Sequence, residues 1–123
     1  MTTRRQPVAI GVADLVRDAL RMRPDRIIIG EMRDGGAALE TLKSWNTGHP
    51  GGLSTLHANS ATEALTRIED LIGEVVSLTP RRMIGDAVDR VVHIRRTPQG
   101  RCVEAVIAVN GFGADGYQVE HLA

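Results

Sequence analysis

With 123 residues, of which 42% are hydrophobic and 24% charged, the chain has the composition of one soluble globular domain and not of a disordered segment. Its formal net charge of zero and aromatic content of 2% argue against a nucleic-acid surface, so we expect no direct nucleic-acid binding. The single cysteine, Cys102, excludes an internal disulfide, and no apolar run approaches the roughly 18 residues of a membrane span.

The first part of the sequence alternates helical and strand patterns. Charge pairs and apolar spacing predict a helix over residues 14–23, which Pro24 ends. The β-branched run 27–29 predicts a short strand buried in a parallel sheet. A second helix opens at Gly35, and Gly48 is well placed to end it. The apolar faces of these two helices are expected to carry Leu15, Ala19, Met22, Ala38, Leu42 and Trp45.

The alternation continues through the middle of the chain. Residues 53–57 predict the next strand. Ser60 and Glu63 have the spacing of a capping box at the start of a third helix. Thr79 followed by Pro80 predicts the N-cap and first turn of a fourth helix.

The last third of the sequence has a different pattern. Residues 90–95 and 101–109 predict two strands joined by a turn at 97–100, and 117–119 predict a third strand after a further turn. This is an antiparallel meander. No linker or repeat divides the sequence, so we expect one α/β domain over residues 1–123: a mostly parallel sheet with helices on both faces, followed by the meander.

Glu31 directly follows the first predicted strand, and His57 ends the second. A helix-length segment separates the two strands, so both side chains are expected at the carboxyl edge of a parallel sheet, where such folds bind ligands. A carboxylate there can orient water for attack on a γ-phosphate, or hold Mg²⁺ through water. Arg33 could hold this glutamate or reach a phosphate of a neighbouring subunit. Alternatively, Glu31 is a loop residue that bonds to Arg26 or Arg33.

The segment around His57 is rich in groups that could contact a phosphate. A glycine-rich turn at 50–52 allows close backbone approach, and Thr55, His57, Asn59 and Ser60 follow within a few residues. The alternative is a packing or capping role, which is the more common one for a lone histidine at a strand end. The histidines and the cysteine lack the close spacing of a zinc site.

A Walker-type phosphate loop is absent from the sequence. That loop requires Gly-x-x-x-x-Gly-Lys-Ser/Thr, and the sole Lys-Ser pair, Lys43 and Ser44, is preceded by Leu42. Without the loop's backbone N–H groups and lysine, little remains to hold the β- and γ-phosphates. We therefore expect the isolated chain not to hydrolyse ATP.

Taken together, residues 20–33 and 45–61 resemble the secretion ATPase superfamily of type II and type IV secretion, and most of all its conjugal-transfer ATPases. The resemblance is dense over residues 15–70 and looser from Thr79 onward. It implies a RecA-like P-loop NTPase core, a homohexameric ring, and ATP with Mg²⁺ as cofactors of the complete enzyme. It also implies that ATP hydrolysis drives DNA transfer or pilus assembly.

The resemblance assigns roles to particular residues. Glu31 matches the Walker B glutamate, which would contact Mg²⁺ through water, and His57 matches the His-box histidine, a γ-phosphate sensor. Five further residues of the matched segments are expected to sense or support the nucleotide: Gly30, Arg33, Gly48, Thr55 and Asn59.

The family's N-terminal domain, Walker A loop and acidic Asp box would precede the region seen here. We therefore expect residues 1–123 to form a partial RecA-like ATPase domain, from a truncated gene, a split gene or an expressed fragment. By the family's strand order, the phosphate-loop strand would lie between the strand of His57 and the one at 90–95. Its absence would leave a gap in the sheet.

The expected partners are copies of the chain or full-length secretion ATPase subunits within type IV secretion machinery, at a cytoplasmic location peripheral to the inner membrane. Two alternatives stay open. One is a non-catalytic interaction or regulatory subunit that docks on a full-length secretion ATPase. The other is a fragment of a type II secretion or type IV pilus ATPase, because the spelling Glu31-Met32-Arg33-Asp34 is also found in such enzymes.

Overall fold

The computed structural model describes residues 9–123. In this part of the chain the helices are α1 (Val12–Leu20), α2 (Gly35–Asn46), α3 (Ala61–Ile72) and α4 (Arg81–Ala87). The strands are β1 (Ile28–Ile29), β2 (Leu53–Ser54), β3 (Arg90–Thr97), β4 (Gly100–Gly113) and β5 (Gly116–His121). Every helix and strand predicted from the sequence is present, with shifted ends. From residue 9 onward, no helix is both long and apolar enough to cross a lipid bilayer.

The strands form two separate sheets. β1 and β2 are parallel and joined through α2, with Ile28 opposite Leu53 and Ile29 opposite Ser54. β3, β4 and β5 form an antiparallel sheet in chain order. Within the described residues β2 does not pair with β3. The expected gap left by a phosphate-loop strand stays a prediction.

The parallel pair and the antiparallel meander are both present as predicted, but the strands together are not mostly parallel, because the antiparallel strands hold most of the strand residues of the described chain. Hairpin-linked strands pair with their own chain neighbours, so the meander can build long ladders by itself. A parallel ladder grows only when further crossover-linked strands join it. Residues 9–123 supply a single such pair.

The parallel pair is covered on one face only, so the prediction of helices on both faces is also wrong here. Ile28 and Leu53 are register partners and are 68% and 64% exposed, whereas Ile27 is buried. On the covered side, Trp45 Nε1 of α2 donates a hydrogen bond to the carbonyl oxygen of Ile27 at 3.3 Å. Gly52 lies under this indole, since a Cβ there would stand 2.7 Å from the same carbonyl oxygen.

The core lies between α2, α3, α4 and the inner face of the meander. Its largest fully buried apolar side chains are Leu42, Leu65, Ile68, Ile72, Ile84 and Ile107. The predicted apolar face of α1 is wrong, because Leu15 and Met22 are exposed and Val16 is the buried residue of that helix. The spacing of residues in the sequence determines only which side chains share a face of the helix. The neighbouring helix α2 decides which face is covered.

The helix caps agree with the sequence at α3 but not at α4. Ser60 caps α3, its hydroxyl accepting a hydrogen bond from the Glu63 N–H at 3.1 Å. At α4 the N-cap is Pro80 and no side chain caps the helix, so the prediction of Thr79 as the cap is wrong. The helix begins one residue later than predicted. Thr79 therefore precedes the N-cap position, from which a side chain can accept a hydrogen bond from the N–H groups of the first turn.

Candidate functional site

The parallel pair continues beyond β1 and β2 through contacts between the chain segments that follow them. The N–H of Met32 donates to the carbonyl oxygen of Thr55 at 2.9 Å, and Thr55 Oγ1 donates to the carbonyl oxygen of Gly30 at 2.6 Å. Two hydrogen bonds therefore hold the segments of Glu31 and His57 side by side.

The two side chains meet as the sequence predicts. His57 Nε2 lies 2.9 Å from Oε1 of Glu31, while Arg33 Nε forms an ion pair with Oε2. Both carboxylate oxygens are thus engaged by nitrogen groups. Glu31 is 21% exposed, whereas the His57 side chain is 92% exposed and open to a ligand.

The charge state of Glu31 follows from these contacts. The hydrogen bond from Arg33 holds the pKa of Glu31 below its ordinary value, and the positive charge of Arg33 and the contact with His57 act in the same direction. Partial desolvation of the carboxyl group opposes this shift. The carboxylate consequently stays ionised at neutral pH and can accept a hydrogen bond from water.

A cleft of about 350 Å³ opens at this point, at the small end of the range for ligand pockets. Its walls are formed by Glu31, Met32, Arg33, His57 and Arg67. Sequence reasoning missed Arg67, which lies on α3. Arg67 could have been considered from the sequence, because the capping motif at Ser60 predicts that a helix begins soon after His57. Residues in the first two turns of such a helix are candidates for the wall of a site at His57.

The other predicted residues divide into two groups. Gly30 and Thr55 bond to each other across the strand ends, and Arg33 contacts Glu31. Gly48 and Asn59 lie outside the lining of the cleft. Gly48 has a φ of 104° just after α2, which a glycine adopts without strain, and Asn59 is exposed. The functional roles of all five residues stay predictions.

Across residues 9–123, no three His, Cys, Asp or Glu side chains gather into a metal-binding group. The cleft supplies the single carboxylate of Glu31. Mg²⁺ often keeps several waters and is held by one or two carboxylates together with nucleotide phosphates. One carboxylate is compatible with Mg²⁺ bound as part of a nucleotide complex, and the contact of Glu31 with Mg²⁺ through water stays a prediction.

A second groove, of about 900 Å³, runs between α1 and β1 and reaches Glu31 at one end. Most of its lining is apolar, including Val12, Leu15, Val16, Ala19, Ile27, Ile28 and Ile29. No strand pairs with β1 on this side within the described chain. The groove thus joins an unpaired strand edge to partly exposed apolar side chains.

The fold and the site define the class of the protein: an α/β domain with a ligand cleft at the carboxyl ends of parallel strands. The chain belongs to the family described as "Type II/IV secretion system protein", which matches residues 4–119. This confirms the resemblance to type II and type IV secretion proteins.

Individual relatives support the same assignment. The chain is 49% identical over 114 residues to "Conjugal transfer protein TrbB" of Rhizobium radiobacter, covering 93% of this chain and 35% of that protein. It is 49% identical over 111 residues to "Probable conjugal transfer protein TrbB" of Sinorhizobium fredii, covering 90% and 34%. The chain therefore spans about a third of the length of these relatives.

Among solved structures, the fold resembles the VirB11 ATPase of the Brucella suis type IV secretion system, crystallised in complex with sulphate. The TM-score is 0.67 at 29% identity, and the alignment covers 76% of this chain and 32% of VirB11. The mixed α/β fold is thus shared with a type IV secretion ATPase. The chain is homologous to one part of such enzymes.

Proposed function

We propose that this chain is the carboxyl-terminal part of a hexameric conjugal-transfer ATPase of type IV secretion, which uses ATP and Mg²⁺ to drive DNA transfer or pilus assembly at the inner membrane. The observation that carries the proposal is the 2.9 Å contact between His57 and Glu31 at the ends of paired parallel strands. The relatives named for conjugal transfer favour this function over a type II secretion or pilus ATPase.

In the proposed reaction Glu31 accepts a hydrogen bond from the attacking water and so orients it toward the γ-phosphate. Arg33 keeps this carboxylate ionised and restricts its rotation. The exposed imidazole of His57 contacts the γ-phosphate and passes its presence to Glu31 through their shared hydrogen bond. When bound, Mg²⁺ would neutralise phosphate charge.

The proposal includes negligible turnover by the isolated chain. Lys43 and Ser44 lie within α2, and Ser44 is 1% exposed with its hydroxyl bonded to the carbonyl oxygen of Thr41. This pair therefore cannot act as a phosphate loop. The remaining groups that grip the β-phosphate would come from the rest of an ATPase, in the same chain or in another subunit.

A chimera tests the function directly. The matched segment of Rhizobium radiobacter TrbB is replaced by the corresponding residues of this chain, and phosphate release from ATP is measured. We expect an active chimera, a loss of about 100-fold or more in turnover with Glu31→Gln, and a smaller loss with His57→Gln. Glu74→Gln is the matched control, because Glu74 is exposed and has no ion pair within residues 9–123.

Two results would contradict the proposal. A folded chimera whose turnover is unaffected by Glu31→Gln would exclude the assigned role of the carboxylate. Turnover by the isolated chain above that of its own Glu31→Gln variant would exclude the proposed dependence on a missing part.

The second candidate function is a non-catalytic subunit that docks on a full-length secretion ATPase. The apolar groove along β1 and the exposed pair Ile28 and Leu53 favour it, because they offer an open strand edge beside apolar surface. Pull-down of intact TrbB by the tagged chain tests this function. Failure to recover any complex counts against docking and leaves the chimera experiment unaffected.

A further inference from the structure

The cleft carries more positive charge than its carboxylate neutralises. Arg33 and Arg67 both line it, but Glu31 is the single acidic residue in its walls. We infer that Arg67 binds the terminal phosphate of the nucleotide, together with Arg33 and His57. This inference rests on the proposed function and adds a residue that directly contacts the substrate.

The position of Arg67 follows from how α3 is anchored. Ser60 caps the helix three residues after His57, so α3 begins close in sequence to the strand end that holds His57. Ala64, Leu65 and Ile68 are buried, which fixes the rotation of the helix about its axis. With that rotation fixed, the side chain of Arg67 lines the cleft.

Arg67 also lacks an acidic partner among residues 9–123, where no carboxylate oxygen lies within 4.0 Å of its guanidinium. Glu63 and Asp70 stand one helical turn before and after it, the usual positions for an ion pair, yet neither pairs with it. A solvated surface arginine would show the same lack of partner. Arg67 differs from an ordinary surface arginine because its side chain lines the same cleft as Glu31 and His57.

The neighbouring groups make this wall suited to an anion. Both oxygens of Glu31 are already engaged by Arg33 and His57, so the guanidinium of Arg33 offsets the charge of this carboxylate where a phosphate would approach. Met32 is 4% exposed and contributes a buried apolar side chain to the lining of the cleft. A guanidinium has a planar fork of N–H donors that fits two phosphate oxygens at once.

Binding of tripolyphosphate to the 123-residue chain tests the inference, followed by ¹H–¹⁵N NMR. We compare Arg67→Gln with Arg82→Gln, which removes the same charge from an exposed arginine of α4 that lies outside the cleft. The expected Kd rises about tenfold for Arg67→Gln and less than about twofold for Arg82→Gln. Arg67→Lys should recover part of the affinity, since it restores the charge but not the fork.

The free variants are first checked for an unchanged backbone spectrum. If Arg67→Gln fails to fold, the comparison of Arg67→Lys with an Arg82→Lys control decides. Equal Kd values for the matched variants would overturn the inference. If the unmodified chain binds no tripolyphosphate, the same matched variants are compared in the TrbB chimera, where equal Kd values for ATP would overturn it. Neither result bears on the Glu31→Gln chimera, so failure of Arg67 and failure of the proposed function are distinguishable.

Discussion

Replacing Gly52 by alanine should weaken the contact between α2 and the parallel strands. The added Cβ would overlap the indole of Trp45 and stand 2.7 Å from the carbonyl oxygen of Ile27. Overpacking of this kind costs about 1–3 kcal/mol. Displacing the indole also breaks the hydrogen bond from Trp45 to Ile27, which contributes about 1 kcal/mol. We therefore expect a loss of about 2–4 kcal/mol in the free energy of unfolding.

Urea unfolding measures this loss through the fluorescence of Trp45, the only tryptophan of the chain. With a dependence of about 2 kcal/mol per molar urea, the midpoint should fall by about 1–2 M. Gly30→Ala is the control, because a Cβ at Gly30 has no heavy atom within 4 Å and the residue needs no left-handed backbone. Equal midpoints for the variants at Gly52 and Gly30 would refute the steric reasoning.

Three further predictions follow from contacts described above. Ser60→Ala should cost about 1 kcal/mol in urea unfolding through loss of the cap of α3, whereas Thr79→Ala, which removes no cap, should cost less than about 0.5 kcal/mol. Leu42→Ala should cost about 2–5 kcal/mol, because this side chain is fully buried in the core; a cost below about 1 kcal/mol would contradict its placement. Arg33→Gln should raise the pKa of Glu31 toward its ordinary value in carboxyl ¹³C NMR titrations, since Arg33 is the main cause of the lowered pKa. The depressed pKa stabilises the fold above the unfolded-state pKa of about 4.5, and this contribution is lost as the pH falls through the folded pKa. In the Arg33→Gln variant this stabilising contribution should be lost at a higher pH than in the unmodified chain. An unchanged titration of Glu31 would show that Arg33 does not cause its lowered pKa.

The placement of Glu31 beside His57 could be predicted because it depends on local rules. A strand, a helix and a parallel strand bring their carboxyl ends to one edge, whatever the rest of the fold does. The Ser60 cap is equally local. The sequence also carried the family resemblance in its two dense motifs, and the family match confirms it.

What could not be predicted depends on partners distant in sequence. Leu15 has the spacing of a buried face, but α2 covers Val16 instead. Ile28 lies in a wholly apolar run, yet one face of the parallel pair has no cover in the described chain. Arg67 reaches the cleft only because the core fixes the rotation of α3. Each outcome is set by tertiary packing, which periodicity does not encode.

The division into two sheets has a consequence for how the molecule opens. No backbone ladder crosses from β2 to β3 in the described chain, so the two sheets are connected mainly by the packing of α2 against α3 and α4. Amide protons of β1 and β2 should exchange with solvent long before those in the middle of β4, which is bonded on both sides. The strand ends that hold Glu31 and His57 therefore follow a short two-stranded ladder, and we expect this part of the described chain to open more readily than the meander.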